Sequence, residues 1–167
     1  MKLIVLIVLF VLTMLAQLFF LQSWQSAGVT ANIMIAFLVV ACLFIDAERM
    51  LWLGLVAGLM FDFYSSADFG LNLGFYILLV VVCKYLLKFG ESEHSWWRPA
   101  LVAGIATSLY ALMLALNAIF SSFSWSILAQ VVLSGVLSAA AAGLWWLLLS
   151  NIFEASNRVN LERLLRR

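Results

Sequence analysis

Long apolar runs separated by short polar breaks organise this chain. Six can be read, over residues 3–21, 31–45, 50–64, 71–87, 99–120 and 125–149. A helix rises 1.5 Å per residue, so about 20 residues cross a hydrocarbon core of about 30 Å. The first, fifth and sixth runs are ample for that, whereas the second and third are short. The pattern predicts an all-α integral membrane protein: a six-helix transmembrane domain over 1–149, followed by a basic tail over 150–167.

Composition identifies the solvent. With 66% hydrophobic and 10% charged residues, the chain lies outside the range of soluble domains and inside that of polytopic membrane proteins. Charge then orients it. If all six runs cross and the N-terminus is cytoplasmic, Lys2, Arg49, Lys84, Lys88, Arg98, Arg158, Arg163, Arg166 and Arg167, which are all nine basic residues, fall on the inner side. A re-entrant hairpin over 31–64 would instead bring Asp46, Glu48 and Arg49 near the bilayer interior. There an Arg costs about 2.5–3.5 kcal/mol even on a lenient insertion scale, so two crossings are preferred. The first run follows Lys2 as a signal peptide would, but it exceeds the usual h-region of about 7–15 residues and reads as a retained span.

Loops between the runs are short, which leaves the bundle, its faces and the tail to carry function. Cys42 and Cys83, in spans two and four, offer neither metal-ligand spacing nor an extracellular pair and read as packing residues. His94 lies in an inner loop beside Glu91 and Glu93, far from Asp62, and the residual serines show no Ser/His or Ser/Lys pairing at one depth. No cofactor, metal or nucleic-acid partner is expected. Trp24 and Trp125 fall near the outer interface and Trp52, Trp96, Trp97, Trp145 and Trp146 toward the inner one, as an aromatic belt would.

Small residues mark where helices can approach: Gly54 and Gly58 in span three, Gly70 and Gly74 opening span four, and Gly135, Ala139 and Gly143 along span six. They serve either internal packing or a partner. Polar residues are distributed asymmetrically, since Gln17, Asn32, Asp62, Asn72, Asn117 and Gln130 all belong to the outer half. Two readings stand, a polar cavity open to the outside or contact with water and headgroups. Asp62 has no Lys or Arg on its side of the membrane. The N-terminal end of span four, with its orphan N–H groups, is the nearest internal compensation, and Asp68 is the closer N-cap by position. Asp62 therefore either tethers the outer loop or takes a cation or N–H group from a partner.

The pattern Gly54-x3-Gly58-x3-Asp62-x7-Gly70, in the third of six short-looped spans, resembles MreD, the bacterial rod shape-determining membrane protein. Ala31-Asn32 at the start of span two agrees in part, because the family often carries Pro followed by Asp or Asn there and this chain lacks the proline. The resemblance implies a non-enzymatic scaffold of the inner membrane, active in cell elongation and lateral-wall peptidoglycan synthesis. Its partners would be an MreC-like single-span protein, RodA, a class B penicillin-binding protein and MreB, together with membrane lipid. Gly54, Gly58, Asp62 and Gly70 carry over as the motif, with no catalytic residue. Such an MreC-like partner is expected to meet the outer layer around Asn32, Asp62 and Asn72, or the row Gly135, Ala139 and Gly143. Phe153, Leu161, Leu164 and Leu165 can share one helical face of the tail, with Arg158, Arg163, Arg166 and Arg167 toward headgroups or a cytoplasmic partner, or the tail can be an extended stop-transfer cluster.

The competing class is the substrate-binding subunit of an energy-coupling-factor vitamin transporter, to which MreD-like proteins are architecturally similar. Those subunits usually dock through an Ala-x3-Ala row in span one. Here span one offers only Ala16, and the outer loops are too short for much of a lid.

Overall fold

The computed structural model describes the backbone of residues 2–24, 32–64, 69–88, 97–121 and 125–165, and the side chains of 4–19, 32–64, 69–86, 97–115 and 125–153. Six helices follow one another: α1 (Lys2–Trp24), α2 (Ile33–Phe44), α3 (Ala47–Tyr64), α4 (Leu71–Lys88), α5 (Trp97–Ser121) and α6 (Trp125–Leu165). The described residues form an all-α bundle. Two stretches, Trp97–Ala115 and Trp125–Phe153, are long and apolar enough to cross a membrane.

The shortest helix stands at the centre. Met34 through Cys42 on α2 are all buried, from 0% to 4% exposed, and α2 packs against each of the other five helices. A helix buried on every side is apolar on every side, which is how the run Ile33-Met-Ile-Ala-Phe-Leu-Val-Val-Ala-Cys-Leu-Phe44 reads. Phe37 anchors it, edge-on to Trp145 at 5.0 Å and beside Phe10 at 6.2 Å. Trp145 therefore belongs to the core rather than to an interfacial belt. Trp52, Trp97 and Trp125 are exposed.

Around α2, α3 pairs with α4 and α5 with α6. Glycine makes both pairs close. A Cβ on Gly58 would lie 2.5 Å from the Cα of Leu73, and one on Gly54 would lie 3.0 Å from Val80 Cγ2 and 3.3 Å from the Tyr76 carbonyl oxygen. On the other pair, a Cβ on Gly104 would meet the Gly135 carbonyl oxygen at 3.2 Å and Ala139 Cβ at 3.3 Å, and one on Gly135 would run into Ser108 Oγ. Removing side chains at these points lets backbones touch, where apolar solvent gives helices little other reason to associate. Gly135 and Ala139 are thus filled by α5. Gly74 and Gly143 have nothing within 4 Å of a Cβ position.

Outside, the shell is as apolar as the core: Leu78, Val81, Ile105, Val132, Val136 and Leu144 are each more than half exposed. The sixth helix runs 41 residues, about 62 Å at 1.5 Å per residue, so residues 150–165 continue it rather than forming a separate element. The backbone at Arg158 and Arg163 is helical. Their side chains, with Arg166, Arg167, Asn117, Asp68 and His94, lie outside the described residues.

Candidate functional site

Polar groups inside an apolar bundle are stable only where they meet one another or a helix end, because each unpaired group costs energy that lipid cannot return. The described polar side chains follow this rule in three places.

The first is the start of α4. The first N–H groups of a helix have no partner within it, and here a carboxylate from another helix supplies one. Asp62, near the end of α3 and 4% exposed, accepts the N–H of Asn72 on Oδ1 at 2.9 Å. Its Oδ2 accepts those of Gly70 at 3.0 Å and Leu73 at 3.1 Å. The carboxylate also faces the positive end of the α4 dipole. Gly70 is what lets the chain bend back so sharply. Its φ is +96°, in the left-handed region that glycine enters without a Cβ clash. Gly70 therefore serves conformation rather than helix packing. The motif reads as one joint: Gly54 and Gly58 bring α3 onto α4, Asp62 closes the end of α4, and Gly70 makes the turn. A cation or N–H group from a partner is not needed for Asp62, since three donors of its own chain satisfy it.

The second place is the start of α2. Asn32 is its N-cap, accepting the Ile35 N–H on Oδ1 at 3.0 Å. Gln17 of α1 accepts the Ile33 N–H at 2.6 Å, and Ser138 of α6 accepts the Asn32 N–H at 3.0 Å. Asn32 Nδ2 donates to the Tyr76 hydroxyl at 3.2 Å. The Tyr76 ring stacks on Phe61 at 5.6 Å and lies 6.4 Å from that of Tyr110. The Tyr110 hydroxyl in turn donates to Asn72 Oδ1 at 2.5 Å. The two helix starts are thus joined into one layer. Gln17, Asn32, Asp62 and Asn72 are all at or below 5% exposure, so these four outer polar residues are buried within the bundle. Gln130 does not join that layer. That residue is half-buried on α6, with its backbone carbonyl accepting the Ser134 hydroxyl at 2.7 Å. Asn72 Nδ2 and Thr107 Oγ1 are buried atoms with no hydrogen-bond partner among the described residues.

No family model, curated protein or solved structure matches the chain.

The third place is the end of α2, which the sequence reading missed. Lys84 of α4 donates from Nζ to the Cys42 carbonyl at 2.7 Å and to the Ile45 carbonyl. It meets the last carbonyls of a helix with no basic residue in its own final turn, where the dipole favours a cation. A lone lysine within an otherwise apolar span was the available signal. Cys42 and Cys83 are both free and buried, as packing residues. Among the described residues no group of three or more His, Cys, Asp and Glu side chains could hold a metal ion. Arg49 and Asp46 form an exposed ion pair at 3.9 Å, a contact worth little.

Proposed function

We propose that this chain is a six-span protein of the bacterial cytoplasmic membrane, with both termini in the cytoplasm, that acts as a non-enzymatic scaffold in cell elongation, as its resemblance to MreD implies. The observation that carries the reading is that the motif behind the resemblance is occupied in holding helices together. Asp62 is engaged by three backbone N–H groups, Gly58 by Leu73, and Gly70 by the turn itself. A rigid α3–α4 joint is what a scaffold requires for presenting a fixed surface. Nine basic residues on one predicted side support the orientation, and the apolar outer shell supports immersion in lipid.

In this reading an MreC-like single-span protein, and through it RodA, a class B penicillin-binding protein and MreB, engages the lipid-facing or loop surfaces rather than Asp62. Gentle-detergent purification with crosslinking and mass spectrometry tests it: an MreC-like protein is expected to accompany the chain. Failure to recover one would count against the scaffold.

A second reading, the substrate-binding subunit of an energy-coupling-factor-type vitamin transporter, draws on Asn72 Nδ2 and Thr107 Oγ1. Such unpartnered buried atoms are what a small polar ligand would satisfy. Recovery of an ABC-type module in the same experiment would favour it.

A further inference from the structure

Two helix pairs of this bundle are drawn together by glycine. Gly54 and Gly58 set α3 against the α4 backbone, and Gly104 and Gly135 set α5 against α6. The pairs meet along α4 and α5, and there the contact is polar. Tyr110 of α5 donates to Asn72 Oδ1 of α4 at 2.5 Å, a separation that suits O–H···O and is short for N–H···O. The amide therefore points its oxygen at Tyr110, and the atom left without a partner, Nδ2, is a donor. Thr107, whose hydroxyl is likewise unpartnered among the described residues, lies one turn before Tyr110 on α5. Helical side chains lean toward their own N-terminus, and residues three apart are neighbours, so the Tyr110 ring passes over Thr107 on its way to Asn72. One hydroxyl thus has both unpartnered groups beside it, and both residues are fully buried.

We propose that a single water molecule is bound in this α4–α5 seam, accepting a hydrogen bond from Asn72 Nδ2 and donating to Thr107 Oγ1, with the Tyr110 oxygen as its third partner. Buried waters typically make about three hydrogen bonds to groups that would otherwise have none. The chemistry selects a small neutral guest. Nδ2 demands an acceptor, which excludes a cation, and Asp62, whose Oδ1 takes the N–H of the same Asn72 at 2.9 Å, repels an anion. The two unpartnered atoms do not bond each other, yet both border the Tyr110 hydroxyl, so the span between them fits one bridging oxygen. Water reaches such enclosed sites through brief local openings of the fold. The bound water makes α4–α5 a hydrated joint between two glycine-packed pairs. This inference rests on neither reading of function, and a water here satisfies the two atoms on which the second reading draws.

The test uses the full chain, with 15N-labelled asparagine, reconstituted in lipid bilayers without added small molecules. Magnetisation transfer from water protons to the asparagine side-chain amides is measured by solid-state NMR, with signals assigned through backbone connectivities. Asn72 is expected to receive transfer. Asn32, equally enclosed but with its Nδ2 bonded to the Tyr76 hydroxyl, is expected to receive none and serves as the control. Thr107→Val keeps the shape of the side chain without the hydroxyl, so it should abolish transfer at Asn72 and lower the unfolding temperature, while Thr107→Ser should retain transfer. Absence of transfer at Asn72 in the parent would overturn the proposal, and this result does not depend on any variant folding. Undiminished transfer in Thr107→Val, or a raised unfolding temperature, would overturn the bridge to Thr107.

Discussion

Replacing Asp62 with leucine removes the acceptor for three N–H groups at once while leaving a side chain of similar bulk. The consequences differ among the three donors. The Asn72 N–H is buried, and an unsatisfied buried donor costs about 1–3 kcal/mol. The Gly70 and Leu73 bonds are part-buried, so each of those groups recovers some hydration and costs about 1 kcal/mol. The sum, about 3–5 kcal/mol, is a large share of a typical domain's stability of about 5–15 kcal/mol. Asparagine is different. Its amide oxygen can occupy the Oδ2 position and keep Gly70 and Leu73, leaving its NH2 facing the Asn72 N–H, so Asp62→Asn should cost about 1–3 kcal/mol through the one lost bond. The assays are thermal unfolding of detergent-solubilised protein and amide hydrogen exchange. Unfolding temperatures should fall in the order parent, Asn, Leu, and in the leucine variant protection should drop at residues 70, 72 and 73 before it drops elsewhere in α4. Unchanged exchange at those three amides together with an unchanged unfolding temperature would refute the joint.

Gly58→Ala should destabilise by about 1–3 kcal/mol because its methyl would meet the α4 backbone. Gly74→Ala, with open space around it, should be neutral or stabilise by about 0.5–1 kcal/mol; equal effects at the two sites on unfolding temperature would contradict the packing account. Lys84→Met keeps the aliphatic stem and removes the donor to two carbonyls, so it should cost about 2–4 kcal/mol, measured by the same unfolding assay. A stability equal to the parent's would mean that those carbonyls find other donors. For topology, a Ser122→Cys variant should react with a membrane-impermeant thiol reagent added from outside and a Ser92→Cys variant should not. The reverse pattern would overturn the proposed orientation.

Helices were legible in the sequence because their signal is local. The apolar run over 71–87 became α4 (Leu71–Lys88) and the run over 99–120 became α5 (Trp97–Ser121), each flanked in sequence by polar or turn-forming residues. The first and third were read a few residues short, and the sixth by far the most. Its apolar stretch ends near Leu149, but the backbone stays helical to Leu165, since charged residues end a hydrophobic run without ending a helix.

The arrangement of the six was not legible. A run that is apolar on all sides has no stripe to say which face turns inward, so nothing in the residues of α2 distinguishes a central helix from a peripheral one. The polar layer failed to read for a related reason. Asn32 as an N-cap is a local signal, but Gln17 and Ser138, which complete the same helix start, come from helices at opposite ends of the chain. Asp68 stood nearer in sequence to the start of α4, whereas the close α3–α4 contact brings the Asp62 carboxylate to within 3.1 Å of its N–H groups. Lys84 at the end of α2 required the same knowledge of which helices touch. Hydrophobicity and helix propensity belong to short stretches of chain and fix the elements. The partner of each buried polar group depends on separations of about 3 Å between distant segments, and only the packed bundle sets those.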